Sequence, residues 1–549
     1  MPHYSSQEID EIVDTLRRAK DRAKPAHILF GGGCSKSAGI PLAPELVTEI
    51  HELYPARCQK LADADRKKYG ACMKLLSPNE RRDLLAPYLT KARINWAHIA
   101  LAQFMKERFI ERALTVNFDN LLARACGLLS LYPAIYDFGS APTAEVSLIV
   151  SPAILHLHGQ GHGVVLLNTE DETEKHSEKI AAVLQEGLDR PLIVIGYSGS
   201  ADDVLRILRE HYRGREYLFW LSHNEESDPA IRQIADAHDY FRCVDGVDAD
   251  RFLIELAQKL RCWPPNICIN PIGHLLAELG PVADYPTAPE NDINILSRTR
   301  SRLAELEKSE KQRESRDIEK LLFEGRYGEV VRAYEAAVSS GHVTKIQKNL
   351  AAAAIMMQGN SMAEKGQRSV DPKIAAKRFR DAETKYEAAL RLTPGNAGIL
   401  YNFGLALMRR ARRSTNSADA AELLKQAETK YNAALRINSN VPATLSARGS
   451  AMLEIAKLTR NKRKASRLLK TSVESMRRAY ELGHTYTYNL ACAYALLGRV
   501  DDCRFALEFG EKAETLPALV HLEADEDFKA LQSQRWFKAL KRRLARKAA

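Results

Sequence analysis

Over the first 260 residues, short and largely apolar runs recur at intervals. They are HILF at 27–30, ALTV at 113–116, AILHL at 153–157, LIVIG at 192–196 and YLFWL at 217–221. A strand that is apolar throughout buries both faces, as strands of a parallel sheet do. The segments between the runs carry helical patterning and are long enough for crossover helices. The pattern predicts an α/β, Rossmann-like domain over 1–262, with a mostly parallel sheet and helices on both faces. Pro264, Pro265, Pro271, Pro281, Pro286 and Pro289 then mark a linker, and 296–320 reads as a charged helix, so 263–320 forms a connection.

From residue 321 the strand pattern stops and alanine-rich helical periodicity replaces it. AETKYEAALRL at 382–392 returns as AETKYNAALRI at 427–437, 45 residues later. Tyr386, Ala389 and Leu392 thus correspond to Tyr431, Ala434 and Ile437, and then to Met476, Ala479 and Leu482. Alanines let paired helices approach, the larger side chains fill the space between pairs, and pairs must stack to bury their faces. This predicts an all-α repeat domain over 321–549. Leu392, Pro394, Asn396, Leu400, Tyr401, Asn402, Gly404, Ala406 and Leu407 together resemble the tetratricopeptide repeat. The period exceeds the usual ~34 residues, and insertions at 412–424 and 458–469 account for the excess.

Composition narrows the class. The chain has 549 residues, 45% hydrophobic and 27% charged, which excludes global disorder. No stretch approaches 18 consecutive apolar residues and the first 20 lack a signal-peptide core, so a cytoplasmic protein without membrane contact is expected. Nine cysteines with no CxxC pair argue against a disulfide framework and a four-cysteine zinc site. Residues 321–549 hold 40 Lys+Arg and 23 Asp+Glu, or +17; the totals of 80 and 70 leave 40 and 47, or −7, for 1–320. Opposite signs suit two different modules.

Four motifs follow predicted strands. Directly after 27–30 comes FGGGCSKSAGIP, where Gly31, Gly32 and Gly33 permit a tight turn and a following helix would aim free N–H groups at an anion such as a pyrophosphate. Lys36 stands where a dinucleotide fingerprint needs glycine. TVNFDN at 115–120 places Asn117 and Asp119 where the sheet opens, although both also suit a helix N-cap. LHLHG at 155–159 puts His156 and His158 on one strand face; with no third or fourth ligand in view, His158 at the strand exit is the better acid–base candidate. VIGYSGSADD at 194–203 offers Gly196, Ser198 and Gly199 for close ligand contact. Ser198 or Ser200 as a hydrolase nucleophile is disfavoured, because the elbow G-x-S-x-G needs glycine at 200, and Asp202 and Asp203 read as helix caps.

In that order the motifs resemble the sirtuin family over about residues 20–260. Gly31, Gly33 and Ser35 match its GAGxS segment, with Gly32 in place of alanine, and Ser37–Pro41 match the segment after it. Asn117 and Asp119 match the TQNID-type motif, His158 and Gly159 the catalytic HG, and Gly196 and Ser198 the late GxS. The resemblance implies that NAD binds where the four converge and that no metal takes part in the chemistry. Deacylases of the family carry a zinc ribbon of two CxxC pairs soon after the histidine, whereas 160–190 contain no cysteine. The lobe that shapes the acyl-lysine channel is therefore absent or rebuilt. TVNFD, LHG and GYSG resemble instead a divergent bacterial branch of antiphage defence, whose members hydrolyse NAD and often carry a C-terminal sensing module.

The resemblance thus implies an NAD glycohydrolase that yields nicotinamide and ADP-ribose. Gly31, Gly32, Gly33 and Ser35 would hold the pyrophosphate, and Gly196 and Ser198 the adenosine end. Asn117 would place the water or ribose hydroxyls, Asp119 would stabilise the ribosyl cation or orient Asn117, and His158 would act as general base. Its implied partners are a second copy of the chain and a phage protein held by the repeats. The alternatives are an NAD-dependent deacylase that recruits substrate through its repeats, and a non-catalytic scaffold. Basic clusters at 409–413, 460–464 and 541–547 suit solvated helix surfaces with no partner, or else nucleic acid, an acidic protein or the acidic first half, and sparse aromatic interleaving disfavours single-strand recognition.

Overall fold

The computed structural model describes residues 4–140, 145–161, 163, 166–199, 204–224, 227–283, 295–311, 316–513 and 515–548. Ser200, Asp202 and Asp203 of the fourth motif, and 284–294 and 312–315 of the connection, lie outside the described residues. The chain forms two compact units, Met1–Arg316 and Asp317–Ala549.

The first unit is built on seven strands: β1 (Ala26–Phe30), β2 (Ile110–Thr115), β3 (Ala134–Asp137), β4 (Ala153–His156), β5 (Leu192–Ile195), β6 (Leu218–Leu221) and β7 (Phe241–Val244). Their order is β3-β4-β2-β1-β5-β6-β7, and every pair is parallel. The expected parallel α/β sheet is present, and each of the five predicted runs supplies an inner strand. The sequence pattern did not mark the edge strands β3 and β7. An edge strand has one neighbour and part of its surface in water, so Ile135 is exposed and Arg242 and Cys243 are half-buried.

Each inner strand alternates between two cores. Ile28 and Phe30 face Ile9, Ile12 and Leu16 of helix Ser6–Asp21, Leu101 and Phe104 of Trp96–Lys106, and Phe252 and Leu256 of Ala249–Lys259. Leu29, Leu114, Leu155 and Val194 face Val183 and Leu184 of helix Ser177–Gly187 and Ile207 and Leu208 of Val204–His211. Between β1 and β2 the chain inserts helices Ala43–Leu53, Pro55–Cys58, Tyr69–Lys74 and Pro78–Lys91. These share a separate core of Leu46, Ile50, Cys58, Cys72, Met73 and Leu84, on which Phe118 and Leu166 pack. Burial pushes the Cys72 thiol up to about 11, and this lobe uses both of its cysteines as apolar filling.

Among the described residues, 263–283 hold helices Asn266–Ile269 and Pro271–Glu278, and 295–311 form the helix Ile295–Lys311. Trp263 packs edge-on against Trp96, and His274 Nε2 lies 3.1 Å from the carbonyl of Leu128.

His27 on β1 gives the first unit an acid-sensitive point. It is 2% exposed and its Nε2 stands 4.0 Å from Glu111. Burial, then Arg112, then Arg190 hold its pKa down to about 3. The unfolded chain takes up this proton near pH ~6.5, and the folded chain does not until far lower pH. Stability therefore falls as pH drops through that window. Going from pH 7 to pH 5 is expected to cost about 2 kcal/mol at this residue. Urea midpoints at the two pH values test this: His27→Leu should lose less than the parent, and equal losses would contradict it.

In the second unit, long helices such as Lys345–Arg368, Pro372–Leu392, Ala397–Arg412, Ser417–Ile437, Pro442–Leu458 and Lys462–Glu481 pack consecutively. Its inner contacts repeat with the period of the sequence. A Cβ on Gly359 would lie 3.1 Å from the Tyr386 ring, one on Gly404 2.5 Å from the Tyr431 ring, and one on Gly449 2.4 Å from Met476 Cγ. Each glycine thus opens a slot for the large side chain 27 residues later. No helix among the described residues is long and apolar enough to cross a membrane.

Candidate active site

The four motifs end on one line across the sheet. Asp137, His156, Thr115, Phe30 and Ile195 are successive register partners on β3, β4, β2, β1 and β5. The glycine turn, Asn117, His158 and Gly196 all follow that row directly, beyond the carboxyl ends of four neighbouring strands. From β1 the chain crosses to β2 on one side, and β5 lies on the other. Such a switch point opens a crevice beyond the strand ends, where ligands of parallel sheets bind.

After β1 the structure differs from the expected turn and helix. Two short 3₁₀ turns, Gly32–Cys34 and Lys36–Ala38, precede helix Ala43–Leu53. The N–H groups of Gly33, Cys34 and Ser35 donate to the carbonyls of Gly196, Gly31 and Gly32 at 2.8, 3.0 and 2.9 Å. The glycines have a packing cause. A Cβ on Gly31 would stand 2.7 Å from Gly196 O, and one on Gly33 2.8 Å from Gly196 Cα. Gly196 has φ +64°, and its Cβ would meet Cys34 N at 2.6 Å. Gly196→Ala adds left-handed strain to that clash and is expected to destabilise the first unit by ~2–4 kcal/mol. A urea midpoint within error of the parent's would rule this out.

Asp119 joins two of the motifs. Its Oδ1 accepts the N–H of Leu121, the first residue of helix Leu121–Leu128 after the N-cap position Asn120, at 3.0 Å, and its Oδ2 accepts the Ser35 hydroxyl at 2.8 Å. The capping and site readings therefore belong to different oxygens of one carboxylate. Asn117 Nδ2 donates to Ser35 Oγ at 3.1 Å. Ser35 is fully buried and Asp119 is 7% exposed.

His156 Nδ1 lies 3.1 Å from the Asn117 carbonyl, so its N–H fixes the turn that presents the Asn117 side chain. Burial lowers its pKa, against the pull of that bond and of Asp119. His158, also buried, sits one residue past Leu157, whose N–H donates to Thr115 O. Gly159 follows at φ +96°. Phe118, between Asn117 and Asp119, anchors the turn in the helical lobe, and Gly161 N–H donates to its carbonyl at 2.7 Å. The lobe also grips the segment after His158: Tyr69 donates to Asn168 and Arg82 to the Gly163 carbonyl. The Ser198 side chain is exposed, while Gly199 packs on Trp220. Burial drives the Cys34 thiol far upward, so it supplies no thiolate.

Among the described residues, neither histidine belongs to a cluster with metal-ligand spacing. The one such group, Cys492, Asp525 and Asp527, is in the second unit, and Lys457 Nζ stands 2.5 Å from Asp527.

Asn95, His98 and Asp250 complete the surroundings. Asn95 Nδ2 donates to Cys34 O and Ser37 Oγ, both at 2.7 Å, and Asp250 accepts from Ser37 Oγ and the Ala97 N–H. A sequence signal was available for Asn95, which precedes an apolar helical run as an N-cap does. None was available for Asp250, whose partners lie about 150 and 210 residues away.

Residues 111–242 match the family model of the SIR2-like domain. A comparison with curated proteins finds no match. Among solved structures, a Sir2 homologue in complex with NAD is 15% identical, with 47% of this chain and 96% of that chain covered and a TM-score of 0.29. A Sir2 protein bound to a propionylated peptide is 15% identical, with 46% and 98% covered and a TM-score of 0.27. From within β2 to within β7, the first unit is therefore similar to the SIR2-like domain, and that stretch holds Asn117, Asp119, His158, Gly196 and Ser198.

Proposed function

We propose that the first unit is an NAD glycohydrolase that releases nicotinamide and ADP-ribose. We propose further that the second unit is a tetratricopeptide-like sensor, and that the whole chain is a homo-oligomeric antiphage effector acting in the cytoplasm. The observation that carries the catalytic reading is the convergence of four strand-end motifs at the switch point, with Ser35, Asn117 and Asp119 joined by hydrogen bonds.

The reaction breaks the bond between ribose C1′ and the cationic nicotinamide ring. The ring leaves neutral with the bonding electron pair, and positive charge spreads over the ribose. Water attacks C1′ and gives up a proton, for which His158 is the general base. Asp119 orients Ser35, and Ser35 fixes the Asn117 amide that places water or ribose hydroxyls. The Asp119 carboxylate also stabilises the developing ribosyl cation. The glycine turn takes the pyrophosphate with the N–H groups left after its internal bonds, and Gly196 and Ser198 flank the adenosine end.

The test incubates the full chain with NAD, with and without chelator and an acetyl-lysine peptide, and follows nicotinamide. Release in every arm supports the reading. Release that requires stoichiometric acetyl-lysine favours the deacylase, and none in any arm favours the scaffold.

A further inference from the structure

His98, on the helix Trp96–Lys106, is fully buried with its ring edge-on to Phe30. Asn95 fixes its tautomer. Because Asn95 Nδ2 donates to Cys34 O and Ser37 Oγ, its Oδ1 is the acceptor. That oxygen receives the His98 N–H at 3.1 Å and lies 2.5 Å from His98 Nδ1. Nδ1 therefore carries the hydrogen in the neutral ring, and Nε2 presents a lone pair.

Nε2 is buried, has no hydrogen-bond partner, and stands 4.0 Å from Asp119 Oδ1. Two acceptors facing each other in a dry interior do not attract. The carboxylate cannot gain by turning toward the ring, so its oxygens stay on the Leu121 N–H and the Ser35 hydroxyl. A proton on Nε2 reverses this, because the ring then donates to Oδ1 and competes with Leu121. Burial favours the neutral ring, while Asp119 and Asp250, from the helix Ala249–Lys259, favour the charged one. Cys34, from the glycine turn, joins the network through its backbone carbonyl, which accepts from Asn95, while its neutral thiol lies 3.8 Å from the Ile195 carbonyl.

We propose that His98 is a positioning residue: its neutral ring, locked by Asn95, holds the Asp119 carboxylate on Ser35 and through Ser35 sets the Asn117 amide. This rests on the NAD-cleaving reading for its kinetic consequence, but the contact itself can be tested without it.

Nitrogen NMR of histidine-labelled full chain reads the contact, with the His98 signal identified by its loss in His98→Phe. Asp119→Asn offers Nε2 a donor amide and should move the Nε2 resonance, whereas the distant Asp245→Asn should not. An Nε2 signal unmoved by Asp119→Asn overturns the proposal whether or not NAD is cleaved.

Kinetics read the consequence. His98→Phe keeps an aromatic ring beside Phe30 but removes both nitrogens. It should lower kcat about 30-fold, the scale for misplacing a catalytic group, with KM for NAD changed less than threefold. His98→Gln, which keeps a donor for Asn95, should recover part of the loss, and it serves as the kinetic variant if His98→Phe does not fold. A folded variant with kcat within twofold of the parent overturns the positioning role. A parent that releases no nicotinamide overturns the NAD-cleaving reading, while the NMR arm still decides the contact.

Discussion

Nicotinamide release is expected to fall at least ~100-fold in His158→Ala and in Asn117→Ala, the scale for losing an acid–base or orienting group. Neither change should unfold the protein by the same route as a core substitution. Asn117 Nδ2 gives up one part-buried hydrogen bond to Ser35, whose hydroxyl keeps its bond to Asp119, and the backbone carbonyl that His156 grips remains after truncation. His158→Ala removes a ring beyond the end of β4 and leaves the bond between its carbonyl and Leu167 N–H. Both variants should stay folded while turnover collapses, with a lower melting point in His158→Ala because its ring is buried. Ser35→Ala acts on both side chains at once. It leaves Asp119 Oδ2 without its donor and Asn117 without its acceptor, so it should lower turnover and stability together. A folded His158→Ala protein with full turnover would remove the mechanism.

The inner sheet was legible in the sequence because burial on both faces writes itself as largely apolar runs without polar alternation. Trp220 and Val194 belong to one core, Phe219 and Ile193 to the other. The edge strands escaped because β3 keeps only Ala134 and Ile135 as apolar residues without a polar handle, and Ile135 is in water. The motifs at the strand ends were visible as residue types, but their causes were not. Gly31 and Gly33 read as room for a ligand, and the geometry adds a reason of its own, the close approach of the Gly196 loop. His98 and Asp250 act through contacts between distant segments, which no local pattern encodes. The helical lobe at 43–91 was equally hidden, since its function as a grip on Phe118 depends on a residue far along the chain.

The second unit is expected to regulate turnover, and its arginines are not equivalent in that task. On the proposed reading, an unrestrained NAD hydrolase would exhaust its own cell, so resting activity is expected to be low but measurable and partner binding to favour the active arrangement. An activation of ~100-fold needs only ~2.7 kcal/mol of differential binding. Of the cluster at 409–413, Arg410 is committed to Glu383 at 2.7 and 2.9 Å, and Arg413 to the carbonyls of Gln367 and Ser369 at 3.0 and 2.7 Å. Reversing either should loosen the helix stack and lower its melting point. Arg412 is exposed and only 3.9 Å from Glu454, a weak pairing, while Arg409 lies half-buried near Tyr386, Tyr401 and Tyr431 with its pKa lowered by burial. Arg409→Gln and Arg412→Glu should therefore leave the fold intact and blunt the response to a trigger. NAD levels before and after phage infection test this, in cells carrying the full chain, the 1–316 unit, or either variant. The full chain should lose NAD on infection, the variants less, and the isolated unit should show no infection-dependent change. NAD that stays constant under infection in every case would remove the sensor–effector reading and leave the scaffold in its place.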